Sequence, residues 1–253
     1  MRANYCAGGG GEGGGGGGGG GGASGIAASI DFSAMSNQSL SDGPHTISGE
    51  TFTTNDGTGG SVAIVTGGVE LDSPSGDKTE VRIDLDDYGV DTSRPFDVVI
   101  SFARDGTIPN NAQIACGLWD DAAATNEHGF QAVMKVNGSG TAEVQLLVVE
   151  SAGNTTDQET FNGGTFPADA RLGLTVLGQY AQGRADASSS TPSVSDLPPV
   201  VGDIVCTEEG IDMTVSAAPD RHYLRIIHSA VAAASASTVV LSHVLVLQNG
   251  AGS

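Results

Sequence analysis

Residues 129–149 have the sequence GFQAVMKVNGSGTAEVQLLVV. Two apolar runs, Gly129–Val136 and Thr141–Val149, flank the polar tetrapeptide Asn137–Gly140. Asn-Gly between two strand-like runs is a strong hairpin signal, because these residues accept the positive φ values of tight hairpin turns. The segment therefore predicts two long antiparallel strands joined by a short turn.

Further strand-like segments lie on both sides of this hairpin. Each is a short apolar or alternating run bounded by Gly, Asn, Asp or Pro, which is the pattern of strands and turns. They are Ser61–Val65, Glu80–Leu85, Phe96–Phe102, Gln113–Leu118, Leu172–Leu177, Ile211–Ser216, His222–His228 and Thr238–Gln248. Helical periodicity is nearly absent, so we predict an all-β fold, an antiparallel jelly-roll β-sandwich.

Two stretches carry more specific expectations. Charged and apolar residues alternate along one strand, which predicts a half-buried strand at the edge of a sheet. Its apolar members are Val81, Ile83 and Leu85, and its charged members are Arg82, Asp84 and Asp86. Gln182–Val201 is rich in Ser, Asp and Pro, and we expect it to be one long irregular loop.

The chain is strongly acidic. Its 253 residues include 10 Lys and Arg against 30 Asp and Glu, giving a formal net charge of −20. Such a surface repels phosphate backbones and anionic lipid, so nucleic acids and membrane surfaces are disfavoured as partners. No apolar run approaches the roughly 20 residues of a transmembrane helix. Three widely spaced cysteines with no CxxC pair argue against a disulfide framework or a structural zinc site.

The amino-terminal segment differs in composition from the rest of the chain. Fourteen of the fifteen residues in Gly8–Gly22 are glycine, and Glu12 is the exception. Polyglycine has no side chains with which to build a core, so it predicts either a flexible tether or an extended arm packed against partner chains. We therefore expect a glycine-rich N-terminal attachment and assembly arm over residues 1–25, followed by one sandwich domain over residues 26–253.

Both uses of this arm require a partner. Only the seven residues of Met1–Ala7 precede the glycines, too few for a domain, so the anchors that remain are Arg2, Tyr5 and Cys6. We expect a homo-oligomer, with a trimer favoured. Met1–Ala7 has no apolar signal-peptide core, so we also expect the protein to be made in the cytoplasm of the cell that synthesises it.

The order of the predicted strands resembles the concanavalin A-like lectin and glucanase family, which includes laminin-G-like domains. The resemblance covers Ile30 to Gln248 and depends on pattern alone. The segments that carry it are Ile30–Ser33, a pair near Ser61–Val69, Phe96–Phe102, Ala115–Asp120 leading into Gly129–Val133, His222–Ile226 and Val239–Leu247. It implies a jelly-roll sandwich with a sugar-binding site in the loops of one rim.

A glycine-rich leader joined to such a sandwich also resembles virion proteins of tailed bacteriophages, namely tail fibres, receptor-binding tips and head decorations or spikes. This second resemblance implies a non-enzymatic structural protein located in the virion, with other virion proteins and a host surface polysaccharide as partners. A carbohydrate-binding module outside a virion is the alternative function.

One predicted inter-strand loop collects the candidate ligand-binding residues. They are Trp119, Asp120, Asp121, Asn126 and Glu127, with His128 beside them. Carboxylate and amide oxygens can gather around Ca²⁺, which takes six to eight oxygen ligands, and a tryptophan can stack on a sugar. Ca²⁺ is therefore the one cofactor that we associate with this loop. The alternative is an acidic surface loop with Trp119 in the core.

Catalysis has weaker support in the sequence. Family hydrolases carry three acids in a Glu-x-Asp-x-x-Glu pattern, and the nearest approach, Glu209 with Asp212, has no third acid. A second acidic group, Asp84, Asp86, Asp87 and Asp91, is interpreted as a solvated strand face. We expect no enzymatic activity, and a polysaccharide-degrading glycosidase is the less favoured alternative.

Overall fold

Alternating apolar residues pack two antiparallel sheets face to face around one core. The computed structural model describes residues 24–92, 94–119, 129–149, 155–177, 180–189, 191, 203–206 and 222–249. In chain order, the strands of these residues are β1 Ser24–Asp31, β2 Gln38–Leu40, β3 Gly43–Ile47, β4 Glu50–Asn55, β5 Ser61–Val65, β6 Gly68–Ser73, β7 Lys78–Asp84, β8 Phe96–Asp105, β9 Gln113–Trp119, β10 Gly129–Val136, β11 Ala142–Val149, β12 Thr155–Thr160, β13 Asp169–Leu177, β14 Tyr180–Asp186, β15 Asp203–Cys206, β16 Tyr223–Ser229 and β17 Ser237–Asn249.

The chain crosses repeatedly between the two sheets. One sheet has the order β15-β14-β13-β8-β17-β6-β5-β2, and β1 pairs with the carboxyl-terminal half of β17. The other sheet has the order β12-β11-β10-β9-β16-β7-β4-β3. We call them the nine-stranded and the eight-stranded sheet. The predicted all-β, antiparallel jelly-roll sandwich is confirmed.

β17 shows how the sequence selects the face that enters the core. Val239 and Leu241 point inward, and so do Val244 and Val246 further along the same strand. This change of phase follows from a bulge at Ser242, where the register to β8 shifts between Leu241 and His243. Without the bulge, the period of two would turn the second half of the strand away from the core.

The predicted hairpin is present. β10 and β11 pair in register from Gly129 opposite Val149 to Val136 opposite Ala142. The Asn137 side-chain oxygen accepts hydrogen bonds from the backbone N–H groups of Ser139 and Thr141, which fixes the turn. Gly140 has a φ of +84°, a value that residues other than glycine rarely adopt.

Two expectations about strands were wrong. The strand with alternating charges, β7, is not at an edge, since it pairs with β16 on one side and β4 on the other. The alternation shows that one face of the strand is solvated and does not show how many neighbouring strands it has.

The segment Ile30–Ser33 is not one continuous strand. Phe32 and Ser33 do not continue β1, because Asp31 accepts hydrogen bonds from Ser33 and caps a 3-10 turn there.

Part of the expected long loop is also strand. Residues 182–186 belong to β14, which pairs with β13 and β15. Its inward residues are Ala181, Gly183 and Ala185, and the space above Gly183 is closed by Leu146 and Ala132 of the opposite sheet. Small residues fit this close approach but carry a weak strand signal in sequence. Among the described residues, no helix is long and apolar enough to cross a membrane.

Candidate functional site

A polar groove lies on the outer face of the eight-stranded sheet. It has a volume of about 350 Å³ and crosses β3, β4, β7 and β16. The period of two places Val81 and Ile83 of β7 in the core and Glu80 and Arg82 on the face that lines the groove. The lining residues are Asp42, Gly43, Thr53, Thr54, Asn55, Glu80, Arg82 and Arg225.

A two-point ion pair forms the wall of this groove. Arg225 Nε lies 2.7 Å from Glu80 Oε1, and Arg225 Nη2 lies 2.8 Å from Glu80 Oε2. The two side chains meet because β7 and β16 are adjacent, with Arg82 opposite Arg225 and Glu80 opposite Ile227. Glu80 is 7 % exposed. Parallel charged hydrogen bonds of this kind hold both side chains in one orientation.

An aromatic ring lies beside the ion pair. The guanidinium carbon of Arg82 is 4.8 Å from the centroid of the Tyr223 ring, which is cation–π geometry. Tyr223 begins β16 and lies opposite Asp84 at the end of β7. Arg82, which lines the groove, thus contacts a half-buried aromatic side chain.

The opposite wall is built by Asp42, which precedes β3, and Asn55, which ends β4. Asp42 Oδ1 accepts a hydrogen bond from the Asp56 backbone N–H at 2.7 Å, and Asn55 Oδ1 accepts one from Gly57 at 2.9 Å. Burial, and next the charge of Asp42, raise the pKa of Asp56 above its ordinary value. The wall therefore presents a carboxylate and an amide whose orientations are fixed by backbone donors.

The arrangement suits a ligand that both donates and accepts hydrogen bonds. Two carboxylates and two guanidinium groups line the groove together with Thr and Asn side chains, so their formal charges balance. Within the described residues, no group of three or more His, Cys, Asp or Glu side chains could hold a metal ion. Groups of these kinds can bind the hydroxyl and amide groups of a small polar molecule.

Most of the residues predicted from the sequence as site residues fall outside the described residues. Trp119 is the last residue of β9, opposite Gly129. Those outside are Asp120, Asp121, Asn126 and Glu127 of the loop, Arg2, Tyr5, Cys6, Gly8, Glu12 and Gly22 of the arm, and Glu209 and Asp212. The predictions for the loop and the arm stay predictions.

The second acidic group is dispersed. Asp84 ends β7, whereas Asp86 and Asp87 lie in the 3-10 turn that follows. Asp86 pairs with His222 Nδ1 at 2.8 Å, and both side chains are exposed. The Asp91 backbone exchanges hydrogen bonds with the Gln248 side chain. Asp86, Asp87 and Asp91 are exposed, but they follow β7, so the prediction of one solvated strand face was wrong.

The groove was not predicted from the sequence. Glu80 and Arg225 are 145 positions apart, and only the pairing of β7 with β16 brings them together. A usable signal was present, since each is a charged residue within a predicted strand. Strand order is the information that the sequence alone did not supply.

No protein-family model matches the sequence, and no curated protein matches it. Solved structures do resemble the sandwich. The carbohydrate recognition domain of Emp47p superposes with a TM-score of 0.54 at 11% identity, covering 89% of this chain and 97% of that one. A legume lectin-like domain from Entamoeba histolytica gives a TM-score of 0.52 at 12% identity, covering 77% of this chain and 88% of that one.

A third structure, the VIP36 exoplasmic/lumenal domain in its Ca²⁺/Man-bound form, gives a TM-score of 0.50 at 10% identity, covering 80% of this chain and 84% of that one. Identities this low carry information about architecture only. The chain therefore has the fold of legume-lectin-like, concanavalin A-like carbohydrate-recognition domains.

Proposed function

We propose that this protein is a non-catalytic carbohydrate-binding protein and that the groove on the eight-stranded sheet holds the sugar. The observation that carries the proposal is the Glu80–Arg225 pair, which presents fixed charged groups at the edge of an open groove. The lectin-like fold supports the same ligand class.

The chemistry of sugar binding fits the groups that line the groove. Sugar hydroxyls donate to carboxylates and accept from guanidinium and amide N–H groups, and Glu80, Arg225 and Asn55 offer both kinds of partner. The Glu80–Arg225 pair fixes its side chains before the ligand arrives, so little conformational entropy is lost on binding.

A glycan array with matched variants tests the site. Glu80→Gln keeps the shape of the side chain but removes its charge, and we expect at least a tenfold loss of affinity. Glu143→Gln is the control, because Glu143 pairs with Lys135 at 3.5 Å on the same sheet but outside the groove. Absence of binding by the unmodified protein, or equal binding by both variants, would contradict the proposal.

We further propose that the sandwich is displayed on a bacteriophage particle, as a fibre, tail tip or head decoration, and is anchored as an oligomer through residues 1–25. The support is the sequence of Gly8–Gly22, together with the resemblance to virion proteins. Mass spectrometry of purified particles tests this role. Absence of the protein from virions, or an unchanged oligomeric state after removal of residues 1–25, would contradict it.

Calcium is proposed as an aid to binding through the loop that contains Asp120 and Asp121. Its support is the oxygen-rich sequence of that loop. Glycan binding that persists unchanged in EDTA would remove calcium from the proposal and leave the groove untouched.

A further inference from the structure

A histidine is sealed between the two sheets at one end of the sandwich. His228 lies on the inward face of β16 and is 0 % exposed. Its Nδ1 is 3.1 Å from the Gln113 carbonyl, and because a carbonyl only accepts, Nδ1 carries the proton. Its Nε2 makes no hydrogen bond among the described residues, although the Ser237 backbone approaches the ring.

Polar contacts join the two sheets at the backbone of His228. The Ser73 hydroxyl, on the nine-stranded sheet, donates to the His228 carbonyl at 2.9 Å and lies 2.8 Å from the Thr79 hydroxyl of the eight-stranded sheet. Thr79 is directly opposite His228 in the register of β7 and β16. His228 therefore lies where the sheets are tied to each other.

Two turns close over the same place. Ser75 Oγ donates to the Ala233 carbonyl at 2.7 Å, and the Gly76 N–H donates to the Ala230 carbonyl at 3.0 Å. The Ala230 N–H in turn donates to the Asp77 carbonyl at 2.9 Å. We call the turns at 74–77 and 230–233, together with His228, the latch.

We propose that the latch is acid-sensitive, so that protonation of His228 opens the contacts between the two turns and loosens the adjacent sugar groove. The consequence for the groove depends on the proposed function, whereas the opening itself does not.

Few charged groups face His228. Among the described residues, Asp72 of β6 is the charged side chain that acts on it, and Asp72 Oδ1 already accepts a hydrogen bond from Thr238 at 2.9 Å. The groups presented by β7, β9 and β17 are neutral, namely Thr79, the Gln113 carbonyl and Ser237. Asp77 in the first turn is occupied by the backbone N–H groups of Thr58 and Lys78. A positive charge on the His228 ring would thus have little compensation from nearby carboxylates.

The direction of the pH effect follows from burial. Burial lowers the pKa of His228 to about 4, although the Ser237 and Gln113 backbone and the charge of Asp72 act in the opposite direction. Once the latch opens, the ring returns towards its ordinary pKa of about 6.5. Between these values the open state binds a proton that the closed state excludes, so closure weakens as the pH falls from about 6.5 to about 4.

The latch adjoins the groove along two strands. Thr79, opposite His228, is followed on β7 by Glu80, and Arg225 is on the same strand as His228. The turn at 74–77 leads directly into β7 and the turn at 230–233 directly follows β16, so opening of the contacts between the turns would shift the Glu80–Arg225 contact.

Hydrogen exchange at pH 7 and pH 4.5 tests the opening directly. We expect exchange in segments 73–79 and 226–238 to rise by at least tenfold at pH 4.5, after correction for intrinsic rates, while β10 and β11 stay protected. His228→Gln, which carries no titrating ring, should remove this rise, and His222→Gln, the exposed histidine beside β16, should keep it. An acid response spread evenly over both sheets, or one that His228→Gln retains, would overturn the latch.

If the His228→Gln variant does not fold, NMR titration of the His228 ring in the unmodified protein replaces the comparison of variants. A ring that titrates near pH 6.5 without local opening overturns the proposal.

Glycan affinity measured over the same pH range tests the coupling. A selective loss in acid that His228→Gln abolishes supports it. Binding that is unchanged while segments 73–79 and 226–238 open would end the coupling and keep the latch. Absence of binding at pH 7 would instead count against the proposed function.

Discussion

The Arg225–Glu80 pair of the eight-stranded sheet and the Arg184–Asp97 pair of the nine-stranded sheet differ in how completely the arginine is hydrogen-bonded. Arg225 and Glu80 meet through two parallel hydrogen bonds of 2.7 and 2.8 Å at the edge of the groove. Arg184 is 1 % exposed on the nine-stranded sheet, and its Nη2 reaches Asp97 at 3.2 Å and the Thr175 hydroxyl at 2.6 Å. Its Nε and Nη1 have no hydrogen-bond partner within the described part of the chain.

The two pairs differ in what surrounds them and in how many strands they link. Charge and hydrogen bonding are matched in the groove pair, which stays next to open space. Burial is the largest influence on Arg184 and lowers its pKa, with Asp97 acting in the opposite direction. Asp97, Thr175 and Arg184 belong to β8, β13 and β14, so this pair links three neighbouring strands. A buried pair is costly to break but contributes little net stability relative to well-packed neutral groups.

Asp97→Ala should have the largest effect on stability. It leaves the Arg184 guanidinium buried without its carboxylate, and breaking a buried pair from one side typically costs about 3–5 kcal/mol. The free energy of unfolding from urea titration measures this loss. Asp105→Ala, at an exposed position of the same strand, is the control and should stay within about 0.5 kcal/mol. A loss below about 1 kcal/mol for Asp97→Ala would mean that Asp97 does not compensate the charge of Arg184.

Arg225→Lys sharpens the comparison from the other side and should have an intermediate effect. Lysine keeps the charge but cannot form both parallel bonds to Glu80, so we expect a loss of about 1–2 kcal/mol in unfolding free energy. Glycan affinity should fall more steeply than stability, by at least tenfold, because the wall of the groove is no longer fixed. Calorimetric titration and urea unfolding of the same preparation measure both quantities. Equal binding by the variant would show that the orientation of Arg225 is not used in recognition.

The sequence predicted the fold well because the fold depends on local patterns. Phe96–Phe102 is an apolar run that forms the first part of β8, and Asn137–Gly140 forms the predicted turn. β14 was missed because Ala181, Gly183 and Ala185 carry a weak strand signal, although their small size is what the packing requires. Local propensity indicates which residues favour a strand, but it does not indicate how closely the opposite sheet packs against that strand.

The groove could not be predicted for a different reason. Glu80 and Arg225 become neighbours only through the order of strands in the sheet. The residues predicted as the site, Trp119 to Glu127, are instead close together in the chain, which is the only proximity that a sequence without topology provides. A site built across strands requires the topology first.

The smallest effect is expected when both members of the buried pair are neutralised together. Arg184→Met fills the volume of the arginine stem, and Asp97→Asn keeps an oxygen that can accept the Thr175 hydroxyl, which now bonds to Asp97. The double variant should unfold within about 1.5 kcal/mol of the unmodified protein, since neutral groups of similar volume often replace a buried pair without loss. Urea unfolding of the double variant and of both single variants completes a thermodynamic cycle. A double variant as unstable as Asp97→Ala would show that the charges themselves hold β8, β13 and β14 together, and the nine-stranded sheet would then depend on its ion pair as the groove does.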